Sequence, residues 1–170
     1  NKKLIAEAVE VAKKSDLVVL VIGDNEQTSR EAWNKTHMGD RANLELFGQQ
    51  NDLVKAVYET GKPIVVVLFN GRPISINFIK ENIPAVLECW YLGQESGNAI
   101  ADVMFGEYNP GGKLPISIPR SAGHIPCYYN YKPSGRRGYL GDEVSPLYPF
   151  GFGLSYTTFS FNNLRLEKSS

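Results

Sequence analysis

Cysteine, histidine and net charge are all scarce in this 170-residue chain, and each scarcity closes off a class of function. Two cysteines, Cys89 and Cys127, cannot build a disulfide framework. Cys89 lies in an apolar run and reads as a small buried hydrophobe. With no Cys-x-x-Cys spacing and only His37 and His124, a structural zinc site is not expected, and neither is any other metal or cofactor. Eighteen basic and eighteen acidic side chains cancel, so no basic field exists to hold nucleic acid or an anionic membrane surface. The longest apolar runs are about six residues, against the roughly 20 that span a bilayer. No leader is visible, but the chain opens inside what reads as a helix, so a piece of something longer is expected. A dinucleotide fingerprint is missing too. Only Gly23 follows the first strand, and the two acids among the next positions repel phosphate.

What is present is an ordinary globular composition, 42% hydrophobic and 21% charged, which argues against disorder. Leu4, Ile5, Ala8, Val11 and Ala12 recur at helical spacing over residues 2–14. The run 17–22 is apolar at every position, as in a strand of a parallel sheet covered on both faces. The pattern repeats with a helix over 49–60, ended by Gly61 and Pro63, and a strand over 64–69. A turn at 70–73, a weaker helix over 74–81, a strand over 85–90, a loop over 91–97 and a helix over 98–105 follow. Such alternation predicts an α/β fold, a doubly wound and mostly parallel sheet in a three-layer sandwich, over residues 1–118. Residues 114–118 alternate like a short edge strand. Residues 119–153, rich in Pro, Gly and Tyr, read as an ordered wrapping arm, and 154–170 as the start of a β-module.

In open α/β sheets, sites form outside the carboxyl ends of the strands. Three loops qualify, 23–41, 70–73 and 91–97, and the first is the longest and most polar. It holds Asp24, Glu26, Arg30, Glu31, Asp40 and Arg41, with Trp33 and His37. A loop of this length in a compact domain is usually functional or mobile. A nucleophile elbow is nearly matched at 93–97, but the serine falls one place late. Carboxylates remain. A glycosidase needs one acid to protonate the leaving oxygen and another as nucleophile or base, and an indole offers a face to a sugar ring. From composition alone, a solvated loop with local ion pairs explains the same charges.

The residues themselves resemble a family. Gly23-Asp24-Asn25-Glu26-Gln27-Thr28-Ser29-Arg30-Glu31-Ala32-Trp33, then Gly39-Asp40-Arg41, is similar to the second domain of family 3 glycoside hydrolases. So are Thr60-Gly61-Lys62-Pro63 with Asn70-Gly71-Arg72-Pro73, Trp90-Tyr91-Leu92-Gly93-Gln94-Glu95, and Gly97-Asn98-Ala99-Ile100-Ala101-Asp102-Val103. Asn109-Pro110-Gly111-Gly112-Lys113-Leu114-Pro115 and the stretch from Tyr148 to Thr157 complete an ordered set that covers nearly the whole chain.

The resemblance implies a retaining exo-β-glycosidase, a β-glucosidase or β-xylosidase, acting on an oligosaccharide or other β-glycoside. A TIM-like barrel domain outside this chain supplies an aspartate nucleophile in such enzymes, and members are often periplasmic or secreted. Many add a fibronectin-III-like domain, which suits the stretch 154–170. Carried over by position, Glu31 is the acid/base, with Glu26 as rival because the loop varies in length across the family. Trp33 either lines the leaving-group subsite or packs as a lid. Arg30, Asp40 and Arg41 support the loop, and Arg30 is expected to point away from the acid. Asn70-Gly71-Arg72-Pro73 and Glu95 are expected to be structural, Glu95 because it sits at a helix start. The barrel and the α/β unit that opens the second domain are not in this chain, which alone is expected to hydrolyse nothing. The alternative from another class is a non-catalytic α/β module that binds a ligand or partner, in which Glu26 and Glu31 are dispensable.

Overall fold

A computed structural model describes residues 2–29, 36, 41–130, 132, 138 and 140–166. Its elements run α1 (Lys2–Lys13), β1 (Val18–Gly23), α2 (Glu26–Ser29), α3 (Gln50–Tyr58), β2 (Ile64–Phe69), α4 (Asn77–Asn82), β3 (Ala85–Glu88) and α5 (Ser96–Phe105), with a 3-10 turn at Ala122–His124. The three strands form one parallel sheet in the order β1-β2-β3. Val, Ile and Leu fill these strands because β-branched and aliphatic side chains suit a buried pleated surface. None of the described helices is long and apolar enough to cross a membrane.

Register explains the core. Val18, Leu20 and Ile22 pair with Ile64, Val66 and Leu68, so these side chains share a face. On it gather Val54 and Val57 of α3, Ala12 of α1, Ile79 of α4, and Ile74, Ile76, Ile83 and Leu46. Val66 is wholly buried. The opposite face differs along the sheet. Val67 of β2 is buried, whereas Val19 and Val21 of β1 are 42% and 63% exposed. Among the described residues, nothing covers that face of β1. A run apolar at every position says that both faces avoid water, not which segment covers each.

Two boundaries shift and one expected strand does not form, each for a physical reason. α4 starts at Asn77 rather than at residue 74 because the preceding residues are tied elsewhere. The Ser75 amide donates to the Leu44 carbonyl at 2.8 Å, and its hydroxyl to the Pro119 carbonyl at 2.9 Å. β3 ends at Glu88, before Trp90, whose φ of 50° leaves the extended region. Residues 114–118 form no strand. Leu114 and Ile118 instead exchange backbone hydrogen bonds with 147–152, Ile118 and Tyr148 making an isolated antiparallel bridge.

That exchange holds the two ends of the Pro- and Tyr-rich stretch together. Ile118 and Leu147 sit in the core at 4% and 1% exposure, and Asn77 donates to the Arg120 carbonyl at 2.8 Å. Further on, Asn109 receives the Tyr156 amide and the Ser155 hydroxyl, each at 2.8 Å, while 154–166 carry no strand.

Gly23, where β1 ends, has a φ of 142° and lies so close to β2 that an added Cβ would stand 1.8 Å from the Phe69 carbonyl oxygen. Gly48 also has a positive φ, 61°, but faces open space. Gly23→Ala should therefore cost about 3 kcal/mol or more, and Gly48→Ala only about 1. Thermal unfolding of the two variants checks this. Equal losses would mean that the close approach of β1 to β2 is not the constraint.

Candidate active site

The parallel register brings the carboxyl ends of the strands side by side, and the site is built there. Gly23 stands opposite Phe69, and the Asp24 amide donates to the Phe69 carbonyl at 2.9 Å, extending the ladder one residue past β1. Gln50, the first residue of α3, brackets Gly23. Its side-chain oxygen accepts the Gly23 amide and its nitrogen donates to the Gly23 carbonyl, both at 2.8 Å. The chain therefore enters the long polar loop from a fixed point.

The next side chain is the buried carboxylate of Asp24, only 2% exposed. Arg72, in the turn after β2, donates to its Oδ2 from Nε at 3.0 Å and from Nη2 at 2.7 Å. Arg41, at the far end of the polar loop, brings Nη1 to 4.0 Å of the same oxygen, beyond hydrogen-bond range but within ion-pair reach. Arg41 is itself steadied by Asn43, which accepts from Nη2 at 2.8 Å, and by the Phe47 ring 5.8 Å away. A carboxylate this far from water is tolerable only when it is paired and hydrogen-bonded.

Tyr91, beyond β3, closes the third side. Its hydroxyl donates to the Asp24 carbonyl at 3.0 Å, and its ring lies over Gly71, where an added Cβ would fall 2.6 Å from a ring carbon. The phenol is held above its ordinary pKa, by burial first and then by the charges of Asp24 and Glu26. Gly71 in this turn is thus glycine for space.

Beside the turn lies a second acid. Glu88 pairs in register with Leu68, so it extends from the core face of the sheet. Its Oε1 accepts the Trp90 amide at 3.2 Å and its Oε2 faces Asn70 Nδ2 at 3.4 Å. Burial pushes this carboxyl up to about 7, against those two hydrogen bonds. Asn70 is fully buried, and its Nδ2 also donates to the Arg72 carbonyl at 2.9 Å, which joins Glu88 to the Arg72 turn.

Of the residues singled out in the sequence, Arg41 is brought to Asp24. Glu26 lies exposed in the first turn of α2, where Asn25 accepts the amides of Gln27 and Thr28 at 3.0 and 2.9 Å. Arg30, Glu31, Trp33, His37 and Asp40 lie outside the described residues. Asp24 as an anchor, Arg72 as its partner, and Glu88 were not anticipated. A signal for the pair existed. When two neighbouring strands run parallel, the residues just past their ends are neighbours, and here those positions are Asp24 and the turn at 70–73. Among the described residues no three His, Cys, Asp or Glu side chains gather as metal donors.

The model of the glycosyl hydrolase family 3 C-terminal domain matches residues 1–156. The chain belongs to that family. It is 49% identical to a β-xylosidase of Formosa agariphila, over all of this chain and 23% of that protein. It is 45% identical to a periplasmic β-glucosidase of Salmonella typhimurium, over 96% of this chain and 22% of that protein. This family 3 domain therefore spans less than a quarter of the length of these relatives. Among solved structures, a β-glucosidase from Erythrobacter marinus superposes with a TM-score of 0.88 at 49% identity, over 94% of this chain and 22% of that one. One from Listeria innocua in complex with glucose gives 0.82 at 35%, over 94% of this chain and 23% of that one. The α/β architecture is that of the family's C-terminal domain.

Glu88 makes the family 3 domain sensitive to pH. The folded chain holds the Glu88 proton up to about pH 7, whereas an ordinary glutamate holds it only to 4.5. Folding takes up a proton between those values, so stability falls as pH rises through that window and stays lower above it, by about 2–3 kcal/mol. Glu88→Gln should remove this component. The melting temperature of the wild type relative to E88Q should be higher at pH 5 than at pH 8, and a difference independent of pH would show that Glu88 ionises normally.

Proposed function

We propose that this chain is part of a retaining exo-β-glycosidase, a β-glucosidase or β-xylosidase, and contributes the acid/base loop to its active site. The observation that carries this reading is the family match over residues 1–156, because it includes the polar loop from Gly23 to Arg41. The geometry supports it, since both ends of that loop meet at Asp24, at the carboxyl edge of the sheet where α/β proteins place their sites.

In this reading Glu31, protonated in the resting complex, gives its proton to the glycosidic oxygen as the bond to the leaving group breaks. An aspartate from a barrel domain elsewhere in the polypeptide attacks the anomeric carbon and forms a glycosyl ester. Glu31, now a carboxylate, takes a proton from water, which displaces the aspartate and releases the sugar with its configuration retained. Retention requires the two carboxyl groups to stand roughly 5–5.5 Å apart, so the loop has to present its acid to a neighbouring domain at a defined distance. Trp33 lines the leaving-group side. Glu26 is the rival acid, on the same loop and nearer its anchored end.

In the full-length enzyme, Glu31→Ala should lower kcat/KM for glycosides with poor leaving groups by about 10²–10⁴-fold and leave a dinitrophenyl glycoside far less affected. Azide, which needs no general base, should restore turnover of the activated substrate as a glycosyl azide. The same loss on both kinds of leaving group would remove Glu31 from the role. The leaving-group signature appearing in Glu26→Ala would move the role to Glu26.

A further inference from the structure

We propose that Arg72 is a positioning residue for the acid/base segment, joining the limb of the loop that leaves the sheet to the limb that returns. This inference rests on the glycosidase reading above and names what sets the reach of its acid.

Arg72 touches both limbs. On the departing side its Nε and Nη2 bind Asp24 Oδ2 at 3.0 and 2.7 Å. On the returning side Nη2 also reaches the Glu45 carbonyl at 3.4 Å, four residues past Arg41. The turn that carries Arg72 is bound to the same limb a few residues on, where the Ser75 amide donates to the Leu44 carbonyl at 2.8 Å. Arg41 then brings the returning limb to within 4.0 Å of the Asp24 carboxylate itself. The segment between Asp24 and Arg41 holds both Glu26 and Glu31, and its two ends are referred to one guanidinium in the turn that follows β2.

The end of β1 does not need this ion pair to stay in place. Gly23 is bracketed by Gln50, the Asp24 amide completes the ladder to Phe69, and Tyr91 holds the Asp24 carbonyl. A well-packed apolar pair would fill the same volume with no desolvation cost. What a planar fork with several donors adds is geometry, because it fixes the carboxylate and a carbonyl of the other limb at once. A lysine, with one compact ammonium, cannot reproduce that. Proton transfer tolerates little displacement of the acid, so a loosened base of the loop should reach catalysis before it reaches folding.

The test uses the full-length enzyme with Arg72→Lys and Arg72→Met beside Glu31→Ala and Glu26→Ala, on a dinitrophenyl glycoside and an alkyl glycoside of the same sugar. Both Arg72 variants should lower kcat/KM on the alkyl glycoside by about 10–100-fold, mostly through kcat, and on the dinitrophenyl glycoside by no more than about threefold. R72K keeps the charge and carries the test if R72M does not fold. Equal loss on both substrates, or wild-type kinetics in R72K, would overturn the proposal. If an acidic-residue variant shows the leaving-group signature and the Arg72 variants do not, the positioning role fails and the glycosidase reading stands. If neither acidic variant shows it, the glycosidase reading fails and the positioning role with it.

Discussion

The Asp24 carboxylate, 2% exposed and shared between Arg72 and Arg41, is the interaction on which the rest of the carboxyl edge is arranged. A charge this far from water imposes conditions on its surroundings. At least one cation has to be close and well oriented, and Arg72 is, with two donors on one oxygen. The cation's own backbone then has to be held, and Asn70 does so by donating to the Arg72 carbonyl at 2.9 Å. Asn70 in turn is fully buried. The chain of requirements thus runs from the first strand, through the turn after the second, to Glu88 at the end of the third.

This dependence across strands explains what could be read from the sequence. The strand runs 17–22 and 64–69 were legible because each is apolar throughout and is bounded by turn or helix signals. The stop after the third helix was legible at Gly61, which indeed has a positive φ of 71°. Asp24 looked like one acid among several in a polar loop, and Arg72 like an ordinary residue of a turn. Their meaning depends on β1 and β2 being adjacent and parallel in a register that sets Gly23 opposite Phe69. Two residues 48 apart carry no local mark of that adjacency. Residues 74–76 depart from their helical pattern for a similar reason. Their helical pattern is real, but Ser75 is claimed by Leu44 and Pro119, and tertiary partners outweigh a short local preference.

The candidate acid is a different case. Glu31 rests on resemblance, by its place in a motif, and the described contacts reach only the base of its loop. The two kinds of argument meet at Asp24 and Arg41, which belong to the motif and are also the described ends of the segment. A resemblance alone would treat Arg72 as one more residue of a turn motif. The hydrogen bonds make it the member that connects both limbs.

Glu88 raises the remaining question of why a carboxyl group occupies a position on the core face of β3, where an aliphatic residue would pack at lower cost. The answer lies two residues on. Trp90 holds a φ of 50°, a strained value for a residue with a large side chain, and its ring packs against the core. That conformation turns the chain out of the strand and leaves the Trp90 amide without a ladder partner. The Glu88 carboxylate oxygen accepts it at 3.2 Å. The turn in turn lets Tyr91 cross Gly71 and reach the Asp24 carbonyl. A valine at position 88 would pack, but it would leave a part-buried amide without this partner. The acid is therefore held near neutrality in its pKa by the same burial that makes its hydrogen bonds necessary, and the edge of the sheet acquires a titrating group as a consequence of how β3 has to end.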